Sequence, residues 1–140
     1  MYKKILLPTD GSEYSVREVE RATKLLAEGG EIIVLGVVIE IRKTAFHRSK
    51  DVERTNKESV KEAEANVKAM KELFDEGIKV RTLVKKGFPS EKINEVAEKE
   101  DCDLIIIASS GKSGLHKFVL GSVAEKVLKD AEKDVLLIHD

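Results

Sequence analysis

Short apolar runs and helical stripes alternate along the whole chain. Ile5–Leu7 is a continuous apolar run closed by Pro8, which predicts a buried first strand. From Val16 the apolar positions Val19, Ala22 and Leu26 recur at helical spacing, with Ser12 placed to cap that helix and Gly29–Gly30 to stop it. Ile32–Ile39 is apolar on both faces and predicts a second strand. Val60, Ala63, Val67, Met70 and Leu73/Phe74 form one stripe of a long amphipathic helix ending at Gly77. Lys79–Val84 alternates charged and apolar positions, as an edge strand does. Pro89 and Ser90 open a third helix with Ile93, Val96 and Ala97 inward, and Leu104–Ala108 reads as a fully buried strand. Val119, Val123 and Val127 mark a fourth helix, and Val135–Ile138 a fifth strand.

Strands apolar on both faces, separated by helices, predict a parallel sheet covered on both sides. The expected fold is α/β, a five-stranded doubly wound parallel sheet of order 3-2-1-4-5 with four helices, Rossmann-like in its winding. No repeat, low-complexity tract or Pro/Gly-rich linker divides the sequence, so residues 1–140 read as a single domain. In this order strands one and four are neighbours whose following helices leave to opposite faces. The crevice beyond their C-terminal ends is the expected ligand site. Two loops meet there, Pro8–Ser12 and Ala108–Ser122.

Composition narrows the partners. With 25 Lys and Arg against 26 Asp and Glu, the net charge of −1 gives no global attraction for nucleic acid or an anionic membrane, so any phosphate binding must be local. No apolar run approaches the ~18 residues of a membrane span, and the N-terminal run ends at Pro8 and Asp10 without a small-residue cleavage site. The expected compartment is therefore the cytoplasm. Cys102, the single cysteine, reads as a small buried hydrophobe in a reducing compartment.

The chemistry concentrates in the loop after strand four. Gly111 and Gly114 allow a tight turn that brings backbone N–H groups close to an anion, and Gly121–Ser122 stands at the start of the fourth helix, where unsatisfied N–H groups favour phosphate. Ser109, Ser110, Ser113 and Ser122 add hydroxyl donors. Taken as composition alone, the same residues also make an ordinary Gly/Ser connection with a serine cap. Gly111-Lys112-Ser113 imitates the end of a P-loop, but the glycine required five residues earlier is Ile106, inside a strand, and no G-x-G-x-x-G follows strand one. Asp10, at the end of strand one, is a crevice carboxylate or a turn or cap aspartate. His47, His116 and His139 are isolated, and no nucleophile stands with a base, so a catalytic function is not expected. The connection from Ile41 to about Arg54 reads as a long loop, carrying Arg42, Lys43, His47, Arg48 and Lys50 between 42 and 50 with no acid there, that is either solvated, a flap or a partner surface.

ILLPTDGS at Ile5–Ser12, GFP at Gly87–Pro89 and LGSVAEKVL at Leu120–Leu128 resemble the universal stress protein family over essentially the whole chain. Its ATP-binding members carry G-x2-G-x9-G-(S/T) after strand four. Here Gly111, the nine residues to Gly121, and Ser122 match, while Ala108 replaces the first glycine, and Ser110 stands where many such members have a basic or imidazole side chain. The resemblance implies an adenine nucleotide α-hydrolase-like fold and a stress-response regulatory protein that binds ATP between strands one and four. Pro8, Thr9, Asp10, Val37, Ile107, Ala108, Gly111, Gly121, Ser122 and Val123 would line the site, with Asp10 beside Mg²⁺ or Mn²⁺. It also implies a homodimer through Val135–Ile138 and a further protein partner. Ala108 keeps a second reading open, an interaction module of the same fold with a vestigial site. A phosphoacceptor receiver domain is excluded, because Val84-Lys85-Lys86 stands where its aspartate belongs.

Overall fold

The computed structural model describes residues 1–39, 49–110 and 120–139. In chain order the elements are β1 (Tyr2–Pro8), α1 (Ser15–Leu25), β2 (Leu26–Val38), α2 (Ser49–Glu72), β3 (Lys79–Lys86), α3 (Pro89–Lys99), β4 (Leu104–Ala108), α4 (Ser122–Asp130) and β5 (Asp134–Ile138). The strands form one sheet in the order β3-β2-β1-β4-β5, with every pairing parallel, as the alternation of strand and helix requires.

Side chains on each strand divide between two cores. Ile5 and Leu7 of β1, Ile32 and Val34 of β2 and Leu104 and Ile106 of β4 pack beneath α1 and α2, against Val19, Ala22, Val67 and Met70. Leu6, Ile33, Leu35, Ile105 and Ile107 point to the other face, against Ile93, Val96 and Ala97 of α3 and Val127 of α4. Because strand side chains alternate faces, a one-residue slip of β1 would exchange these sets, and both cores together hold the register. Cys102 lies in the second core, fully buried.

Several element ends differ from the periodicity. The first helix is capped at Tyr14, not Ser12, and ends at Leu25, ahead of Gly29–Gly30. Leu26 leaves the helix directly into the sheet opposite Tyr2, and the β1–β2 register then jumps to Lys4 opposite Glu31. The intervening residues are looped out at Gly29, whose φ is +75°, and a Cβ at Gly30 would lie 2.8 Å from the Lys3 carbonyl oxygen. The glycines thus serve a bulge inside β2, where backbone passes close to backbone, and not a helix stop. Val16 lies on the solvent side of α1, 54% exposed, because the inward stripe runs through Tyr14, Glu18 and Ala22. The second helix stops at Glu72, before Gly77, so Phe74 packs into the core from the following turn while Leu73 stays exposed. At its other end α2 begins at Ser49, which places Lys50 and Arg54 on a helix and not in a loop. The rest of the basic 42–50 stretch lies outside the described residues, as does Val119.

Candidate functional site

The topology brings the C-terminal ends of β1 and β4 side by side, with Ile5 opposite Leu104 and Leu6 opposite Ile105. The helices that follow them depart to opposite faces and leave a cavity of about 360 Å³, within the range of small-molecule sites. Of the ten residues singled out in the sequence, Pro8, Thr9, Asp10, Val37, Ile107, Ala108, Gly121, Ser122 and Val123 all line this cavity. Gly111 lies outside the described residues, as do Lys112, Ser113, Gly114, His116 and Lys117.

Each wall has a local cause. The Thr9 N–H donates to the Leu35 carbonyl at 2.8 Å and carries the β1–β2 ladder one step past Pro8, which itself has no N–H to give. The chain then turns. Ser12 N–H donates to Asp10 Oδ1 at 3.0 Å and Gly11 N–H to Thr9 Oγ1 at 3.2 Å, a side-chain-stabilised turn that Gly11 completes at φ +81°. Asp10 is therefore a turn aspartate at the cavity edge and does not cap α1. Across the crevice, Gly121 caps α4 in an extended conformation, its N–H donating to the Ser109 carbonyl, so Ser122 is the first helical residue and not the cap. The N-terminus of α4, with its partial positive charge, opens into the cavity.

Ala108 sits at the end of β4, paired with Ile138 of β5, in regular extended backbone. Among the described residues Asp101 is the one non-glycine position with positive φ, so alanine at 108 carries no backbone strain. Ala108 lines the cavity, half-buried, and packs against the first core.

The walls differ in character. Leu35, Val37, Pro89, Ile93, Ile107 and Val123 make an apolar slot on the side of α3 and α4. Polar groups gather on the side of α1, where Asp10, Ser12, Glu18 and Ser110 line the cavity. A buried hydrogen bond of 2.9 Å between Tyr14 Oη and Ser110 Oγ fastens the start of α1 to the end of β4.

Glu18 is the functional candidate that periodicity missed. It is 2% exposed, and among the described residues its Oε2 has no hydrogen-bond partner. Burial, then the nearby Asp10, pushes its carboxyl up from an ordinary 4.5 to about 8, so it carries its proton at neutral pH. The available signal was its position four residues after Tyr14 and four before Ala22, on the inward stripe of α1. Among the described residues no group of three or more His, Cys, Asp or Glu side chains is placed to hold a metal by protein ligands alone.

The model of the universal stress protein family matches residues 1–139. The chain belongs to this family. Universal stress protein MJ0531 of Methanocaldococcus jannaschii is 37% identical, over 99% of this chain and 82% of its own length. MJ0577 of the same organism is 35% identical over 99% of this chain and 95% of its length. Its solved structure matches this universal stress protein with a TM-score of 0.76 at 38% identity, covering 99% of this chain and 96% of that one. A solved universal stress protein in complex with cAMP matches with a TM-score of 0.63 at 25% identity, covering 99% and 97% of the two chains. No helix among the described residues is long and apolar enough to cross a membrane.

Proposed function

We propose that this universal stress protein binds an adenine nucleotide, ATP in the first instance, in the cavity between β1 and β4 and acts as a nucleotide-dependent regulatory switch. The observation that carries the reading is the cavity itself, an apolar slot continuous with the N-terminus of a helix. A purine fits between Val37, Ile107 and Val123, the sugar over Asp10, and the phosphates at Gly121 and Ser122, where orphan N–H groups await an anion. Gly111 joins the phosphate loop by its spacing from Gly121. The related protein solved with cAMP supports an adenine nucleotide as the ligand class. The unstrained backbone at Ala108 supports a working site over a vestigial one.

Asp10 suits a Mg²⁺ or Mn²⁺ ion that arrives with the nucleotide, since such an ion takes most ligands from phosphate and water and needs one or two carboxylates from the protein. β5 is a sheet edge, and pairing of Val135–Ile138 with a second copy would join a homodimer. The role is binding and signalling to a protein partner in the cytoplasm, a reducing setting suited to the single buried thiol.

Thermal unfolding with ATP and Mg²⁺ tests the proposal. Ligand at 100 times its Kd adds ~2.7 kcal/mol, which raises the Tm of a chain this size by about 8 °C. Gly121→Val is expected to remove the shift by crowding the helix N-terminus. No shift at millimolar ATP, together with no adenine nucleotide released from the denatured purified protein, would favour the empty interaction module.

A further inference from the structure

The cavity has two poles. On the β4 side the start of α4 and the serines at 109 and 122 offer hydrogen-bond donors, the chemistry that suits an anion. On the β1 side Asp10 from the turn and Glu18 from α1 place two carboxyl groups at one end of the same space. Carboxyl oxygens gathered there can accept from hydroxyl or amino groups. Glu18 adds an independent sign of an absent ligand: a side chain 2% exposed lines the cavity with Oε2 unpartnered among the described residues. An unmet buried carboxyl oxygen is destabilising, and a hydroxyl arriving with the ligand would satisfy it.

A nucleotide has one feature with two adjacent hydroxyl donors, the 2′,3′-diol of its ribose. Resting on the nucleotide reading above, we propose that Glu18 is a specificity-determining residue that, beside Asp10, receives the ribose diol and makes the site select ribonucleotides over deoxyribonucleotides. Paired hydroxyls need paired oxygens, and carboxyl groups read ribose hydroxyls in the same way in dinucleotide-binding folds. The remaining polar groups nearby are already occupied with one another: Tyr14 with Ser110, and the Ser12 N–H with Asp10.

The test compares the affinities of ATP, 2′-deoxy-ATP and 3′-deoxy-ATP for the full chain by titration calorimetry. A site built around a hydroxyl discriminates strongly against the analogue that lacks it. The wild type is expected to bind at least one deoxy analogue ~10-fold or more weakly than ATP. Glu18→Ala is expected to bring the ratio within about threefold while still binding ATP, and Glu18→Gln, which keeps an acceptor oxygen, to retain most of it. Equal binding of all three nucleotides by the wild type would overturn the proposal without touching the nucleotide site, and so would undiminished discrimination in Glu18→Ala. Failure of the wild type to bind ATP at all would overturn both.

Discussion

Replacing Glu18 with Gln removes a titrating group from the interior while preserving its shape, and the consequence is a change in how stability depends on pH. The unfolded chain releases this proton near the ordinary 4.5, whereas the folded chain holds it to about 8. Between those values the folded state binds one more proton than the unfolded state. Raising the pH therefore favours unfolding, by up to ~1.4 kcal/mol for each pH unit. From pH 5 to pH 8 the loss attributable to Glu18 is roughly 3–4 kcal/mol, and above pH 8 little remains to lose. This is opposite in sign to the behaviour of an ion-paired surface carboxylate. Urea unfolding of wild type and Glu18→Gln at pH 5, 6, 7 and 8 isolates the effect, because every other titrating group contributes to both proteins. The two should agree within ~1 kcal/mol at pH 5 and separate progressively, with the variant more stable by about 3 kcal/mol at pH 8. Parallel pH profiles would refute the reasoning and place the Glu18 carboxyl in contact with water.

Cys102 is fully buried, and its thiol is pushed up to about 11, first by that burial. Ellman's reagent is therefore expected to label it only as fast as the protein opens, with the rate rising in urea; rapid labelling of the native protein at neutral pH would contradict the packing around it. Edge pairing through β5 predicts a dimer mass by light scattering at micromolar concentration, and a monomer across that range would remove Val135–Ile138 as the joining strand.

The order and number of elements were legible because the central strands β1, β2 and β4 are buried on both faces, while Lys79–Val84 alternates as an edge strand does. A strand in that setting is a short unbroken apolar run, and nothing else in a chain this charged imitates Ile32–Ile39 or Leu104–Ala108. The parallel order followed from right-handed crossovers and the alternation of strand with helix, and with it the crevice that Pro8–Asp10 and Gly121–Ser122 line. These features are carried by residues close together in sequence, and pattern alone specifies them.

What lay beyond pattern was whatever depends on which atoms meet across the fold. Gly29–Gly30 reads locally as a helix stop, and only the passage of β2 alongside the Lys3 carbonyl makes it a bulge. Ser12 and Ser122 look like caps, yet Tyr14 and Gly121 hold those positions, Tyr14 bonded to Ser110 and Gly121 to Ser109 across the fold. The cost of Ala108 turned on a backbone angle that its place in β4 determines. Glu18 carries the same lesson furthest. Along the chain it is one of many glutamates, and only the closing of α1 over the sheet removes it from water, leaves an oxygen unmatched and turns an ordinary acid into the cavity's neutral carboxyl. Sequence periodicity determined that this protein has a crevice and where it lies. Desolvation, a property of the assembled tertiary structure, decided which side chain gives the crevice its chemistry.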